Sequence, residues 1–158
     1  MTNVLFVCLG NICRSPSAEG VFRTLITEKG LTNQFHIDSC GTIDFHTGEA
    51  PDPRAQKTAA GRGIDISQLQ ARQYHPEDFA KFDYILAMDH SNKKDLLNAC
   101  PPENHQKIQL FCSFTQHHTE VEVPDPYYGG PRGFENVYDL IQDASDGLLT
   151  AIQSDMAE

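Results

Sequence analysis

The chain has 158 residues, 39% of them hydrophobic and 22% charged, which is typical of one ordinary folded domain and argues against a disordered chain. Its formal net charge of −10, from 22 acidic and 12 basic residues, argues against nucleic acid or an anionic membrane as partner, because both require an extended basic surface. The N-terminal residues include no basic leader, and no apolar run approaches the roughly 20 residues of a transmembrane helix, so we expect a cytoplasmic protein.

The first 30 residues predict a strand, a loop and a helix in succession. Residues 3–8 are a short apolar run that indicates a buried strand, and residues 9–14 are a polar, glycine-bearing turn. Ser15 suits the N-cap of the helix and Pro16 its first position, and Gly30 is expected to end it. Apolar residues within this helix recur at helical spacing: Ala18, Val21, Phe22, Leu25 and Ile26.

The same alternation of strands and helices continues to the C-terminus. Strands are predicted over residues 35–39, 83–88 and 107–111, and helices over residues 52–61, 91–99 and 134–154. Such alternation favours a parallel sheet with helices on both faces. No repeat, low-complexity tract or linker interrupts it. We therefore predict an α/β fold, a single domain over residues 1–158 with a four-stranded parallel sheet.

Two long irregular segments follow predicted strands. Residues 40–51 and 112–133 are longer than a compact fold needs for connections, so both are candidates for function. In open parallel sheets, ligands bind beyond the carboxyl ends of the strands. We therefore expect both segments to border one site.

The cysteine and histidine residues indicate neither structural disulfides nor a metal ion. The five cysteines are odd in number and form no Cys-x2-Cys pair, which favours reduced thiols: Cys8, Cys13, Cys40, Cys100 and Cys112. The neighbouring His117 and His118 lie in a polar loop and are more typical of a solvated surface than of a metal site. No cofactor is expected.

The loop between Cys8 and Arg14 has the composition of an anion-binding nest. Its five intervening residues can curl so that their N–H groups point inward, and the following helix adds its positive dipole end. These groups would stabilise the thiolate of Cys8, which is the nucleophilic form, and the planar fork of Arg14 can hold two phosphoryl oxygens. The alternative is a buried cysteine near a surface arginine. The preceding strand and the Ser-Pro helix start favour the phosphate-binding loop: Leu9, Gly10, Asn11, Ile12, Cys13, Arg14 and Ser15.

A carboxyl group between two prolines supplies a candidate proton donor. Asp125 would protonate the leaving oxygen of a phosphate ester and then activate water against the thiophosphate intermediate. Tyr127 and Tyr128 could form a wall against an aromatic substrate. The alternative is an ordinary Pro and Gly turn with an aspartate that bonds its own backbone.

Three motifs of the chain resemble those of the low-molecular-weight protein tyrosine phosphatases, over essentially the whole length. They are Val-Cys-x5-Arg-Ser at residues 7–15, Phe-Asp-Tyr-Ile-Leu-x-Met-Asp-x-Ser-Asn at residues 82–92 and Asp-Pro-Tyr-Tyr-Gly at residues 125–129. The resemblance implies a metal-independent phosphatase that hydrolyses phosphotyrosine and small aryl phosphates through a cysteinyl-phosphate. Cys8 would be the nucleophile, Arg14 the phosphate clamp and Asp125 the general acid and base.

The resemblance also implies supporting residues and partners. Loop supports would be Asn11, Ser15 and Ser39, and the substrate rim would be Leu9, Phe45, Tyr127 and Tyr128. Phe45 could instead be a partly buried loop anchor. Cys13 would bond Cys8 reversibly under oxidation. The expected partners are a phosphotyrosine-containing protein as substrate and inorganic phosphate as product and inhibitor, and the chain would be a monomer or a weak homodimer.

The chain departs from the family pattern at one point. Members commonly carry a histidine a few residues before an Ala-Arg pair, whereas Leu69 and Gln70 precede Ala71-Arg72 here. This departure removes one support that the resemblance implies for the loop serine and asparagine.

Two other functions remain open at the level of sequence. Arsenate reductases of the same fold share the Cys-x5-Arg-Ser loop, but they relay a disulfide through a close cysteine pair, whereas eleven residues separate Cys100 from Cys112. The reductase hypothesis also leaves Asp125 unexplained. A non-catalytic module that binds phosphorylated proteins is the second alternative, and the intact Cys8, Arg14 and Asp125 argue against it.

Overall fold

The structure is a computed structural model that describes residues 1–157, except for the side chains of Tyr128 and Pro131. Within these residues the fold contains four strands and five α-helices. The strands are β1 (Thr2–Cys8), β2 (Phe35–Gly41), β3 (Tyr84–Ala87) and β4 (Ile108–Leu110). The helices are α1 (Arg14–Glu28), α2 (Pro53–Gly61), α3 (Asp78–Lys81), α4 (His90–Ala99) and α5 (Gly133–Ala157). All were predicted except α3, which is too short to show a periodic pattern.

The four strands form one parallel sheet in the order β2-β1-β3-β4, which confirms the predicted α/β class. The chain crosses from β1 to β2 on one side and later reaches β3 on the other side of β1. The carboxyl end of β1 is therefore the switch point of the topology, where open α/β sheets bind their ligands. Cys8 is the last residue of β1.

Side chains alternate along β1, so both faces of the sheet carry apolar residues. Helices cover both faces, as predicted. Val4 and Phe6 point into the apolar cluster that also contains residues of α1, α2 and α5. Leu5 and Val7 point to the opposite face and pack with residues of α3 and α4. None of the helices among the described residues is both long enough and apolar enough to cross a membrane.

The start of α1 differs from the prediction. The helix begins at Arg14 with Cys13 at its N-cap, and the Cys13 side chain makes no capping hydrogen bond. Ser15 lies inside the first turn, and its Oγ contacts Cys8 Sγ, the Asn11 amide and the Cys40 carbonyl. The prediction of Ser15 as N-cap is therefore wrong, because its hydroxyl group is used by the preceding loop and not by the helix.

A buried carboxylate on α5 holds the chain that leads toward Asp125. Asp143 is 7% exposed and accepts hydrogen bonds from the backbone N–H groups of Gln116 (2.8 Å), His117 (2.9 Å) and His118 (2.8 Å). Nδ1 of His118 lies 2.7 Å from the same carboxylate. Although burial acts in the opposite direction, these hydrogen bonds hold the pKa of Asp143 well below its ordinary value.

Replacing Asp143 with alanine is expected to lower the free energy of unfolding by about 2–4 kcal/mol at pH 7, because three backbone donors lose a charged acceptor. The folded pKa lies below the unfolded value of about 3.9, so the stabilisation is complete above that value and is lost as the pH falls below it. Urea unfolding at pH 7 and near pH 3.5 measures both effects.

The matched control is Asp146→Ala, which removes an exposed carboxylate from the same helix and should change stability by less than about 0.5 kcal/mol. An equal difference between wild type and Asp143→Ala at the two pH values would contradict the assigned role of the ionised carboxylate.

Candidate active site

A cavity of about 180 Å³ opens at the carboxyl end of β1. It brings together the three residues predicted for catalysis, Cys8, Arg14 and Asp125, from β1, α1 and the loop before α5. The full lining is Cys8, Leu9, Gly10, Ile12, Cys13, Arg14, Ile43, His46, Asp125, Pro126 and Tyr127. Ile43 and His46 were not predicted, although they lie in the irregular segment after β2 that was expected to border the site.

The loop after Cys8 turns its carbonyl groups outward. The carbonyl of Leu9 accepts hydrogen bonds from the N–H groups of Thr42 (3.0 Å) and Ile43 (3.2 Å), and the carbonyl of Ile12 accepts one from Asp52 (2.8 Å). Because the C=O and N–H of one peptide group point in opposite directions, this arrangement turns the N–H groups of Gly10 and Cys13 toward the inside of the loop. An inward ring of N–H groups is an anion-binding nest.

Two residues allow this conformation. A Cβ atom on Gly41 would lie 2.6 Å from the carbonyl oxygen of Leu9, so only glycine lets β2 approach the loop this closely. Asn11 has φ 58°, a left-handed conformation that asparagine adopts more readily than most residues. Its backbone N–H donates to Cys8 Sγ at 3.3 Å, so the strained residue places a donor on the sulfur.

The side chains of Asn11, Ser15 and Ser39 form a network around the sulfur. Asn11 Nδ2 donates to Ser15 Oγ (2.8 Å) and to Ser39 Oγ (3.0 Å), and Ser15 Oγ lies 3.0 Å from Cys8 Sγ. The structure therefore brings together the three residues for which the family resemblance implied a supporting role. Leu69, which precedes Ala71-Arg72 where the family commonly has a histidine a few residues earlier, packs against the apolar cluster of α1, α2 and α5.

Arg14 is held from two sides. It is 9% exposed, and its Nη1 donates to Asp89 Oδ2 (2.7 Å) and to the carbonyl of Val123 (3.1 Å). Asp89 also caps α4 by accepting a hydrogen bond from the N–H of Asn92 (2.7 Å). Sequence reasoning did not assign a role to Asp89, although an acid directly after a buried strand is the signal that points to the ligand-binding edge of the sheet.

Asp125 begins the 3₁₀ turn Pro126–Tyr128 and is exposed toward the cavity opening. Its Oδ1 accepts a hydrogen bond from the N–H of Tyr127 (2.9 Å), which fixes the carboxyl group relative to the turn. The turn packs on the start of α5, where any side chain on Gly133 would collide with the carbonyl of Pro126. Asp125 is therefore anchored by the turn and by the helix after it.

Tyr127 forms one wall of the cavity. Its hydroxyl donates to Asp52 Oδ2 (2.5 Å), and the guanidinium of Arg54 stacks 4.2 Å from the ring centre. Burial and the bond to Asp52 raise the pKa of Tyr127 above its ordinary value, so the hydroxyl group stays protonated. Although burial acts in the opposite direction, hydrogen bonds from Arg54 and Tyr127 hold the pKa of Asp52 below its ordinary value. Asp52 was predicted only as a helix start.

The other predicted rim residues differ in position. Leu9 is exposed and lines the cavity. Phe45 is 79% exposed, contacts the ring of His46 and does not line the cavity, so the structure does not show the partly buried loop anchor, and the rim position of Phe45 stays a prediction. The side chain of Tyr128 lies outside the described residues.

The cysteines are all reduced in this structure. Cys13 lines the cavity, and its Sγ lies 3.6 Å from the hydroxyl oxygen of Tyr127. Burial raises the pKa of Cys13 to about 12, so it is a thiol at neutral pH. Cys100 and Cys112 pack into the clusters on opposite faces of the sheet, so the structure does not assemble the cysteine pair of a disulfide relay.

Within the described part of the chain, no group of three or more His, Cys, Asp or Glu side chains is arranged to hold a metal ion. His118 is instead bonded to Asp143, and His117 uses its backbone N–H for the same carboxylate.

Comparisons with known proteins agree with this geometry. The family model described as low molecular weight phosphotyrosine protein phosphatase matches residues 3–158. The low molecular weight phosphotyrosine protein phosphatase of Schizosaccharomyces pombe is 45% identical over 150 residues, which are 94% of this chain and 96% of that protein.

Two solved structures are also similar to this chain. A protein tyrosine phosphatase from Entamoeba histolytica has a TM-score of 0.95 and 41% identity and covers 99% of both chains. An arginine phosphatase of Drosophila has a TM-score of 0.88 and 33% identity, over 98% of this chain and 99% of that chain. The chain therefore belongs to the low molecular weight phosphotyrosine protein phosphatase family.

Proposed function

We propose that this chain hydrolyses phosphotyrosine in protein substrates, and small aryl phosphates, through a cysteinyl-phosphate on Cys8. One observation carries the proposal: the N–H of Asn11 and the hydroxyl of Ser15 converge on Cys8 Sγ, in a cavity that Arg14 and Asp125 also line. Donors that converge on a sulfur stabilise its anion, and an adjacent arginine and acid supply what phosphoryl transfer from an ester requires.

In the first step, the thiolate of Cys8 attacks phosphorus and the bond from phosphorus to the phenolic oxygen breaks. The proton of the Asp125 carboxyl group moves to that oxygen, so the leaving group departs as a neutral phenol. The nest binds the phosphoryl oxygens, and the guanidinium edge of Arg14 away from Asp89 holds two of them.

In the second step, water attacks the phosphorus of the intermediate and the bond from sulfur to phosphorus breaks. The Asp125 carboxylate accepts a proton from this water, which restores the acid for the next cycle. The thiolate leaves toward the hydroxyl group of Ser15 and the N–H of Asn11. Inorganic phosphate is released, and it competes with substrate because it meets the same donors.

The rim accounts for a preference for aromatic leaving groups. The exposed side chains of Leu9 and Tyr127 form apolar walls on which a phenyl ring can pack. We further propose that the chain is a single catalytic domain, that it is a monomer or weak homodimer, and that it is located in the cytoplasm. The five free thiols favour the cytoplasm because it is a reducing compartment.

The test is a rapid-quench experiment with an aryl phosphate in the presence of a chelator. We expect a phosphorylated protein within the first turnover, with the phosphoryl group mapped to the Cys8 peptide by mass spectrometry, and full activity despite the chelator. A phosphoryl group on another residue, or turnover without any phosphorylated protein, would contradict the proposal.

Substrate comparison separates this function from its rivals. Peptides with phosphotyrosine should be hydrolysed faster than matched peptides with phosphoserine or phosphoarginine, and arsenate should not be reduced with thiols as electron donors. Faster phosphoarginine hydrolysis would instead assign to this chain the activity for which the Drosophila arginine phosphatase is named. Stoichiometric binding of phosphotyrosine peptide without turnover would indicate a binding module.

A further inference from the structure

We infer that Glu19 is a positioning residue that orders the hydroxyl groups around Cys8. The inference rests on the proposed role of Cys8 and adds a residue that neither the motifs nor the cavity lining includes. Glu19 lies one turn into α1, below the phosphate-binding loop, and is only 3% exposed. A buried carboxylate in such a place requires hydrogen-bond partners, and its partners lead to the sulfur.

The contacts form a continuous path from Glu19 to Cys8. Ser39 Oγ donates to Glu19 Oε1 at 2.6 Å, and Asn11 Nδ2 donates to Ser39 Oγ at 3.0 Å. The same Asn11 nitrogen donates to Ser15 Oγ at 2.8 Å, and Ser15 Oγ lies 3.0 Å from Cys8 Sγ. Every step is within hydrogen-bond distance, and the residues on the path are all buried.

The direction of each hydrogen bond follows from the two ends of the path. An ionised carboxylate only accepts, so the single hydrogen of the Ser39 hydroxyl points to Glu19 and its lone pairs face Asn11. At the other side, the backbone N–H of Arg72 donates to Asn11 Oδ1 at 3.0 Å, which fixes the amide so that its NH₂ group faces both serines. The side-chain oxygen of Asn11 therefore accepts and its NH₂ group donates, and the amide cannot be turned around.

The consequence reaches the nucleophile through Ser15. Since Ser15 Oγ accepts from Asn11, its own hydrogen is free to donate to Cys8 Sγ, with the Cys40 carbonyl at 3.3 Å as the competing acceptor. A hydroxyl that donates to sulfur stabilises the thiolate over the thiol. Glu19 thereby favours the reactive form of Cys8 without touching it.

Arg23 is the second hydrogen-bond partner of the Glu19 carboxylate. Arg23 lies one turn later on α1, and its Nη2 donates to Glu19 Oε2 (2.7 Å) and to the Ile37 carbonyl (2.9 Å). Burial raises the pKa of Glu19, and the hydrogen bonds from Ser39 and Arg23 act in the opposite direction. Arg23 neutralises the charge of Glu19. The effect of Glu19 on Cys8 therefore passes through the hydrogen bond with Ser39 and not through the charge.

The test is the pH dependence of Cys8 alkylation by iodoacetamide, with the modified residue identified by peptide mass mapping. Glu19→Gln leaves one side-chain oxygen for two donors, and because Arg23 can only donate while a hydroxyl group can also accept, the new NH₂ group faces Ser39 and reverses that hydrogen bond. The substitution should slow alkylation about three- to tenfold near pH 5.5 and leave the rate at high pH unchanged, because loss of the ordered hydrogen bond disfavours the thiolate by roughly that factor. The value of kcat/KM for an aryl phosphate should fall by the same factor near pH 5.5. Alkylation needs no substrate, so this readout stands even if the proposed function fails.

Two control variants separate the effect of the hydrogen bond between Glu19 and Ser39 from the effect of the negative charge. Glu19→Asp keeps the charge but is one methylene too short to reach Ser39, so it should slow alkylation as much as Glu19→Gln does. Glu28→Gln removes an exposed carboxylate from the same helix and should match wild type. If Glu19→Gln does not fold, as judged by thermal unfolding, the comparison of Glu19→Asp with wild type decides the question.

The double variant tests the path itself. Ser39→Ala should slow alkylation by a similar factor, and adding Glu19→Gln to it should cause no further loss, because both substitutions break the same connection. Additive losses would overturn the proposed route through Ser39. Faster alkylation of Glu19→Gln at low pH would show that the carboxylate acts on Cys8 only as a repelling charge, and an unchanged rate would equally overturn the inference.

Discussion

Cys8→Ser is expected to abolish hydrolysis of aryl phosphates, with a loss of at least about 10³-fold, in the range seen when the nucleophile of a covalent hydrolase is removed. Serine fits the site and keeps a hydrogen-bonding atom near Ser15, but an alcohol oxygen is a far weaker nucleophile than a thiolate sulfur. The donors from Asn11 and Ser15 can stabilise an existing anion, and they cannot create one from an alcohol.

Phosphate binding separates loss of chemistry from loss of structure. Cys8→Ser should still bind inorganic phosphate, measured by calorimetry, because the nest N–H groups and Arg14 are unchanged. Cys100→Ser is the matched control: Cys100 lies at the end of α4, where its Sγ contacts the Pro101 carbonyl, and serine can keep that bond. Cys100→Ser should retain wild-type kcat. Turnover by Cys8→Ser within about tenfold of wild type would contradict a sulfur nucleophile.

The sheet and its helices were predictable because they depend on local patterns. The apolar run of β1 and the helical spacing of α5 are periodic signals that a few neighbouring residues carry. The phosphate-binding loop was predictable for the same reason, since its strand, its glycine and asparagine and its helix start lie within residues 3–16. The one error in that region, Ser15 as N-cap, arose because a tertiary contact with Cys8 outweighs a local capping preference.

The residues that sequence reasoning missed act through partners far away in the chain. Asp89 is separated from Arg14 by 75 positions, and Asp52 is separated from Tyr127 by 75 positions as well. The first pair is set by the order of strands in the sheet, which places the ends of β1 and β3 side by side, and the second by the packing of α2 and of the turn Pro126–Tyr128 against α5. No local pattern reports them.

Glu19 was missed although it lies only eleven positions from Cys8. On α1 it occurs among apolar residues that face the core, where a glutamate contributes nothing to the helical pattern. Its role depends on Ser39, which reaches it through the pairing of β1 with β2. The general lesson for this fold is that β1 carries the nucleophile, while its two neighbouring strands supply the groups that orient the loop and the arginine.

Asp125→Asn is expected to slow hydrolysis of phenyl phosphate by about 10²–10⁴-fold, the range that general acid catalysis supplies. Asparagine can still accept the hydrogen bond from the N–H of Tyr127, so the turn stays in place while the transferable proton is lost. The loss should shrink as the phenol becomes more acidic, because a stable phenolate departs without protonation. Single-turnover rates for a series of substituted phenyl phosphates measure this dependence.

The matched control is Glu120→Gln, which neutralises an exposed carboxylate five positions earlier in the same loop. Glu120→Gln should follow wild type across the series, because Glu120 is not among the residues that line the cavity. The decisive quantity is therefore the slope of log rate against leaving-group pKa: steep for Asp125→Asn and shallow for both wild type and Glu120→Gln. If Asp125→Asn lost the same fraction of rate with every phenol, the carboxyl group would act on binding or on loop geometry, and the proton would have to come from elsewhere.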